Sequence, residues 1–280
     1  MIIIDMNQIC LASVMMSQQM SNSSEVDDKM IRHMILNSIR LYRGMFNEKY
    51  GEVVLTYDSK HYWRRDYFEQ YKHNRKKGRE KDSKDWNAIF ECLNQIKSEF
   101  KENLPYKFIE VYGAEADDII ATLVKNFQDE EIMIISGDKD FIQLQTHTNV
   151  KQYSPILKKY VNGEDPETYI KQHILKGDAS DGVPNVLSPD HTFVEGLRQR
   201  PLTKKKIEAW VDMNIDDFEE EVKRNYIRNQ KLIDLKMIPE NLEKDIMVDF
   251  CEAPINDRSK LFPYFTDKRL RELTENIGEF

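Results

Sequence analysis

Five short acidic packets constrain this chain more than anything else in it: Asp5; Asp58; Glu115 with Asp117 and Asp118; Asp138 with Asp140; and Asp178 with Asp181. Most of them follow an apolar run of the kind that forms a buried strand, or open a helix. Residues 2–4 (Ile-Ile-Ile) lead into Asp5, and residues 53–57 lead into Asp58. Each pattern places an acid at the C-terminal end of a strand, and a parallel sheet gathers such ends along one edge. Carboxylates a few ångströms apart repel one another, and their pKa values climb unless hard cations such as Mg²⁺ neutralise them. The pattern therefore predicts a divalent-metal cleft, and paired metals suit phosphoryl hydrolysis.

The rest of the chain supplies the scaffold for such a cleft. Met30, Ile31, Met34, Ile35, Ser38 and Ile39 recur at helical spacing between the first two strands, which makes a βαβ unit. Trp86, Ile89, Phe90, Leu93, Ile96 and Phe100 form a second amphipathic helix, followed by a strand at 108–111 and a helix at 115–127. A strand at 132–136 precedes Gly137-Asp138-Lys139-Asp140. Alternating strands and helices predict an α/β fold with a doubly wound parallel sheet, its ligand site at the carboxyl ends of the strands. Beyond about residue 165 the strand signals thin out and helical patterns take over around 169–175, 204–211 and 218–235. The expected organisation is an α/β catalytic domain at 1–165 and a smaller helical domain at 166–280.

The net charge of −8 looks unfavourable for a protein that meets phosphates, but taking out the nine packet carboxylates leaves +1. Residues 60–81 hold nine Lys and Arg against three acids, a local charge of +6, and local patches decide phosphate contact. Three cysteines, Cys10, Cys92 and Cys251, lack CxxC or His-paired spacing, which argues for reduced thiols in a cytosolic compartment. The N-terminus has no signal-peptide pattern and no run is long enough to span a membrane. The six histidines show no ligand spacing.

Each packet alone has an ordinary explanation. Acids at a helix N-terminus complement its dipole, so Glu115 to Asp118 is what many helix starts carry. Asp138 and Asp140 fit a turn, and the glycine and later glutamate of a calcium loop are missing. Asp178 and Asp181 lie at i, i+3 and face the same way on a helical turn. The conjunction and order of the five carry the weight. That order, with Glu115-Ala-Asp117-Asp118, Gly137-Asp138-Lys-Asp140 and Gly177-Asp178-Ala-Ser-Asp181, resembles the 5′ nuclease or flap endonuclease family, which includes the 5′ nuclease domain of bacterial DNA polymerase I. Strings such as Tyr62-Trp63-Arg64-Arg65-Asp66, Leu123-Val124-Lys125, Val150-Lys151-Gln152 and Ile174-Leu175-Lys176-Gly177-Asp178 are most similar to its phage ribonuclease H branch, over essentially the whole chain.

The resemblance implies a PIN-like catalytic layer and a helix-3-turn-helix type C-terminal domain. It implies two Mg²⁺ sites, with Mn²⁺ able to substitute. Asp5, Asp58, Glu115, Asp117, Asp138 and Asp140 would build the first, and Asp118, Asp178 and Asp181 would lie at or near the second. Tyr71-Lys72-His73-Asn74-Arg75 resembles the base of the family's arch, here about 62–84, where a Lys and an Arg approach the scissile phosphate. Lys72 and Arg75 are one helical turn apart and are the expected catalytic cations. Arg64, Arg65, Tyr71, Lys76, Lys77 and Arg79 are expected to contact nucleic acid, although a solvated helix face explains the outer cations equally well. Trp63 is expected in the core. Residues 182–191 lack the second glycine pattern of the helix-hairpin-helix turn that many members carry, often beside a monovalent cation, so the resemblance does not carry that turn or its ion over to this chain. Arg198, Arg200, Lys204, Lys205 and Lys206 are placed to meet duplex backbone.

The implied activity is a metal-dependent 5′→3′ exonuclease and flap endonuclease acting on flaps, nicked duplex DNA and RNA·DNA hybrids during primer removal. Implied with it are a monomer in the cytoplasm and a phage single-stranded DNA-binding protein as partner. The rivals are a PIN-type endoribonuclease, which would lack the Gly-Asp-x-x-Asp packet, and a non-catalytic flap-binding scaffold, which gains nothing from acids that repel phosphate.

Overall fold

The apolar runs become the centre of one sheet. In the computed structural model, which describes residues 1–163 and 165–280 but not the side chain of Lys76, the strands are β1 (Ile2–Asp5), β2 (Val53–Thr56), β3 (Lys107–Ile109), β4 (Ile132–Ile135), β5 (Val150–Ser154) and β6 (Lys159–Tyr160). Every residue of β1, β2 and β4 is buried, as expected of parallel strands covered on both faces. Their order is β3-β2-β1-β4-β5-β6, with β1 to β5 parallel and β6 antiparallel to β5. The chain builds outward from β1 through β2 to β3, then returns to the other side of β1 for β4. That reversal leaves a crevice beyond the carboxyl ends of β1 and β4, where open α/β sheets bind ligands. Asp5 aligns with Thr56 and Ile4 with Ile135, so Asp5, Asp58 and Asp138 leave adjacent strands at one edge.

Helices cover both faces: α1 (Met6–Ser21), α2 (Asp28–Tyr50), α3 (Trp63–Tyr67), α4 (His73–Lys81), α5 (Trp86–Asn103) and α6 (Ala116–Asn126). Later come α7 (Pro166–Lys176), α8 (Lys204–Trp210), α9 (Glu220–Ile233), α10 (Glu240–Glu252), α11 (Leu261–Asp267) and α12 (Arg271–Glu275). Alternation along β1 decides which layer each side chain joins. Ile2 and Ile4 meet Ile31, Ile35, Ile39, Ile89, Ile96 and Phe100 of α2 and α5, while Ile3 meets α6 and Ile134 on the other side. The end of the chain returns to this layer. Leu242 and Ile246 of α10 pack with α6, and Phe265, Leu273 and Phe280 close the α2 side. Between them, Leu175, Val186, Ile207, Phe218 and Val222 form a separate small core joining α7, α8 and α9.

The 178–181 packet is a closed loop and not a helical turn. Asp178 pairs with Val183 across an antiparallel bridge, and the Val183 N–H donates to the Asp178 carbonyl at 2.7 Å. Gly177 makes the turn possible: its φ is +66°, and a Cβ there would lie 2.4 Å from the Val183 carbonyl oxygen. Among the described residues, no helix is long and apolar enough to cross a membrane.

Candidate active site

Strand ends and helix starts bring the five packets to the crevice. Asp5 ends β1 and caps α1, accepting from the Gln8 N–H at 3.3 Å and from the Ser136 hydroxyl at 3.0 Å. Asp58 follows β2 and accepts from the Ala116 N–H at 2.7 Å, which ties it to the first turn of α6. Glu115 caps α6 in a reciprocal box with Asp118, whose carboxylate accepts from the Glu115 N–H at 2.9 Å. Asp138 follows β4 and caps the 3₁₀ turn Lys139–Thr146 by accepting from the Asp140 N–H at 2.9 Å. Arg64, Tyr71, Asp117, Asp140, Asp178 and Asp181 line one narrow cleft.

The acids divide into compensated and uncompensated sets. Glu115 accepts from Arg64 Nη1 at 2.8 Å, from the Tyr71 hydroxyl at 3.0 Å and from the Lys72 ammonium. Burial pushes its pKa up, but Lys72 and Arg64 outweigh burial and hold the carboxyl below its ordinary range. Asp118 is fully buried, with Arg64 at 2.8 Å, the Trp63 indole at 3.2 Å and the Glu115 N–H on its oxygens. It thus braces Glu115 and Arg64 from behind the cleft. Asp181 takes the Tyr71 hydroxyl at 3.0 Å and the Arg75 guanidinium, with Lys72 Nζ at 3.7 Å, yet burial still raises its pKa.

Among the described residues no cation forms an ion pair with Asp5 or Asp117, and the Lys72 charge that reaches Asp117 does not offset its burial. Burial, then Asp58, pushes Asp5 up to about 7, and burial, then Asp138, raises Asp117 well above the carboxylate range. Asp58 is raised by burial against the pull of Lys72. This is an all-oxygen donor set short of positive charge, which fits hard divalent cations. Among the described residues, no three Asp, Glu, His or Cys side chains are grouped closely enough to hold an ion by themselves. An ion here would keep part of its water shell, as Mg²⁺ readily does.

Lys72 sits at the centre of the positive side. It is 6% exposed, in the left-handed region at φ 56°, and its N–H donates to the Asp181 carbonyl at 2.7 Å. Burial lowers its pKa, but Glu115 and Asp181 overcome this and keep it charged. Arg75 is more open, at 46% exposed. Arg64 and Tyr71, expected from the sequence on a nucleic-acid face, lie inside instead. Arg64 is 2% exposed, with Nε donating to the Leu232 carbonyl at 2.9 Å and its other nitrogens on Glu115 and Asp118. Tyr71 is 3% exposed and its hydroxyl is shared between Glu115 and Asp181.

The remaining expected contacts are at the surface. Arg65 is exposed beside the Tyr62 ring, Lys77 reaches the Val194 carbonyl at 3.0 Å, and Arg79 lies over the Phe90 ring. Arg198 and Lys205 are exposed; Arg200 pairs with Glu221, Lys204 with Glu208, and Lys206 covers the Trp210 ring. Lys76 lies outside the described residues as a side chain.

Four supporting side chains carry no sequence signal. His173 of α7 brings Nδ1 within 3.2 Å of Asp140, across 33 residues of chain, and Asp140 raises its pKa against the effect of burial. Gln8 accepts from the Gly137 N–H at 2.7 Å. Gln152 of β5 donates to the Ser136 and Asp138 carbonyls at 2.9 and 2.6 Å, and Ser136 itself accepts from the Asp138 N–H. Only the fold places these near the acids.

Residues 1–174 match the family described as 5′-3′ exonuclease, N-terminal resolvase-like domain, and residues 164–280 match the one described as T4 RNase H, C terminal. Ribonuclease H of Enterobacteria phage T4 is 36% identical over 99% of this chain and 95% of its own length. DNA polymerase I of Bacillus subtilis is 28% identical over 85% of this chain but only 28% of the polymerase. A bacteriophage T5 flap endonuclease, solved as a pseudo-enzyme-product complex with DNA and metal ions, has the same fold: TM-score 0.62 at 17% identity over 90% of this chain and 97% of that one. The chain belongs to the 5′-3′ exonuclease family, carries a C-terminal region of the T4 ribonuclease H type, and is a nuclease.

Proposed function

We propose that this nuclease is a divalent-metal-dependent 5′→3′ exonuclease and flap endonuclease that hydrolyses phosphodiesters in flaps, nicked duplex DNA and RNA·DNA hybrids, and so removes RNA primers during replication. The observation that carries this is the set of buried acids from separate packets around one crevice, faced by Lys72 and Arg75. Asp5, Asp58, Glu115, Asp117 and Asp138 are the residues to hold one Mg²⁺ or Mn²⁺, and Asp178 and Asp181 a second. Asp140, which the resemblance assigns to the first set, lines the cleft with Asp178 and Asp181 and joins the second instead, and Asp118, expected at the second, is committed to Arg64, Trp63 and the Glu115 N–H. When bound, such ions supply a nucleophilic water at neutral pH and neutralise charge on phosphate.

The protein's own groups do the rest. Lys72 and Arg75 carry positive charge already anchored on Glu115 and Asp181, so it needs no reorganisation as charge develops on the scissile phosphate. Arg64 and Asp118 fix the orientation of Glu115 from below. Gln8, Ser136 and Gln152 fix the 136–138 backbone beside Asp5. Exposed Arg65, Lys77, Arg198, Lys204 and Lys205, with the half-buried Arg79, supply sequence-independent backbone contacts, which weaken as salt rises. The monomeric state, the cytoplasmic location and a single-stranded DNA-binding partner rest on the family resemblance alone.

The test is cleavage of 5′-labelled flap, nicked duplex and RNA·DNA hybrid substrates with Mg²⁺ or with EDTA. Short labelled products ending in 3′-hydroxyls, from all three and only with metal, are expected. Cleavage of unstructured RNA in preference to every duplex would point to an endoribonuclease instead.

A further inference from the structure

One face of α9 is polar and yet internal: Asn225, Arg228 and Asn229 are 0%, 5% and 0% exposed. Spaced i, i+3 and i+4, they share a side of the helix. Their donors go mostly to one stretch of backbone. Arg228 Nη2 donates to the Pro184 carbonyl at 2.7 Å and lies 3.5 Å from the Asn185 carbonyl oxygen. Nη1 meets the Asp190 carboxylate and lies 3.5 Å from the Ser188 carbonyl oxygen. Asn225 donates to the Val186 carbonyl at 2.9 Å, and Asn229 to Pro184 and Ile174 at 2.9 and 2.8 Å. Four oxygens from one turn thus converge on a single buried guanidinium. Each of the four also accepts elsewhere, Pro184 from Asn229, Asn185 from the Ser188 N–H, Ser188 from Asn225 and Asp190 from Arg224, but among the described residues only the Arg228 guanidinium reaches all four and so ties the turn together at one point.

The turn joins the two ends of the proposed site. On one side, Pro184 follows Val183, whose bridge to Asp178 closes the loop bearing Asp178 and Asp181. On the other, the Asn185 side chain donates to the Arg200 carbonyl at 2.9 Å, its N–H donates to Gln199, and the Arg200 N–H donates to Ser188. A shift of the turn would therefore move the acidic loop and the basic 198–200 segment together.

We propose that Arg228 is a positioning residue, a built-in cation that sets the 184–190 turn and with it the spacing between the acids and the duplex-facing basic segment, so that no bound monovalent metal ion is needed. Its functional meaning rests on the nuclease reading above. Its fork geometry matters as well as its charge, since a lysine cannot span oxygens on two sides.

The experiment measures duplex affinity by fluorescence anisotropy in Ca²⁺, and KM and kcat on nicked duplex in Mg²⁺, for wild type, Arg228→Met and Arg228→Lys. Potassium salt is exchanged for lithium salt at equal ionic strength. The wild type should change by less than about twofold on exchange, while Arg228→Met should raise both the duplex Kd and KM roughly tenfold, with kcat less affected. Arg228→Lys should move the same way, and is read in place of Arg228→Met should circular dichroism show the latter unfolded. A wild type that loses about tenfold affinity without potassium, or a folded variant with unchanged KM and Kd, would overturn the proposal. Absence of wild-type cleavage would sink the nuclease reading alone, since the anisotropy arm still decides the role of Arg228.

Discussion

Replacing Asp5 by Asn should make the metal-free protein more stable while abolishing its activity. Burial and the neighbouring Asp58 push the Asp5 pKa from its ordinary 3.8 to about 7. The folded carboxyl therefore keeps its proton to higher pH than the unfolded one. Between about pH 4 and pH 7 the unfolded chain binds fewer protons than the native one, so stability falls as pH rises and then levels off. A difference of about 3 pKa units corresponds to roughly 4 kcal/mol at pH 8. Asparagine removes that cost and can still accept from the Gln8 N–H, but its amide meets the Ser136 hydroxyl less favourably, so a gain of about 2–3 kcal/mol is expected. Urea unfolding followed by circular dichroism in EDTA, at pH 5 and pH 8, checks it. Asp5→Asn should be clearly more stable at pH 8 and close to wild type at pH 5, and added Mg²⁺ should stabilise the wild type more than the variant. A variant less stable than wild type at pH 8 in EDTA would refute the claim that this cleft stores uncompensated negative charge.

Arg64→Met should cost about 3–5 kcal/mol in the same assay, because it strands Glu115 and Asp118 as buried charges; a loss below about 1 kcal/mol would mean that Lys72 and Trp63 suffice. Gly177→Ala should cost about 2 kcal/mol or more, since φ is +66° and the new Cβ meets the Val183 carbonyl at 2.4 Å; an unchanged melting midpoint would contradict the closed-loop geometry. Lys72→Ala should lower kcat on a flap substrate by about 10²-fold or more, with substrate affinity measured in Ca²⁺ changing far less. Equal losses in both would make Lys72 a binding residue.

What could be read in the sequence follows from how each element hides its side chains. β1, β2 and β4 were legible because a strand buried on both faces must be apolar throughout, and the acids that end them are abrupt. β5 was not, because Lys151 and Gln152 break its apolar run, and the buried amide of Gln152 is justified only by the Ser136 and Asp138 carbonyls. α1 shows no single face: Leu11, Met16 and Met20 are exposed while Ile9 and Val14 are buried, so its helical period is blurred. Arg64 stood in a basic run and read as a phosphate contact, yet its carboxylate partners lie 51 and 54 residues away, at the cap and first turn of α6. Separation in sequence likewise concealed His173 beside Asp140 and the polar face of α9 beneath the 184–190 turn. Acids announce themselves by type and order, whereas the residues that orient them are known only once the chain is folded.

The central claim is that the packet acids bind divalent cations and that this, with Lys72 and Arg75, drives phosphodiester hydrolysis. The most direct measurement compares wild type with Asp138→Asn, whose side-chain oxygen can still cap the Lys139–Thr146 turn. Cleavage of a 5′-labelled flap in Mg²⁺ is measured alongside affinity for the same flap in Ca²⁺. The account predicts Mg²⁺-dependent short products from wild type, loss of cleavage by about 10²-fold or more in the variant, and flap affinity retained or improved. Cleavage that persists in the variant, or in EDTA, would contradict it.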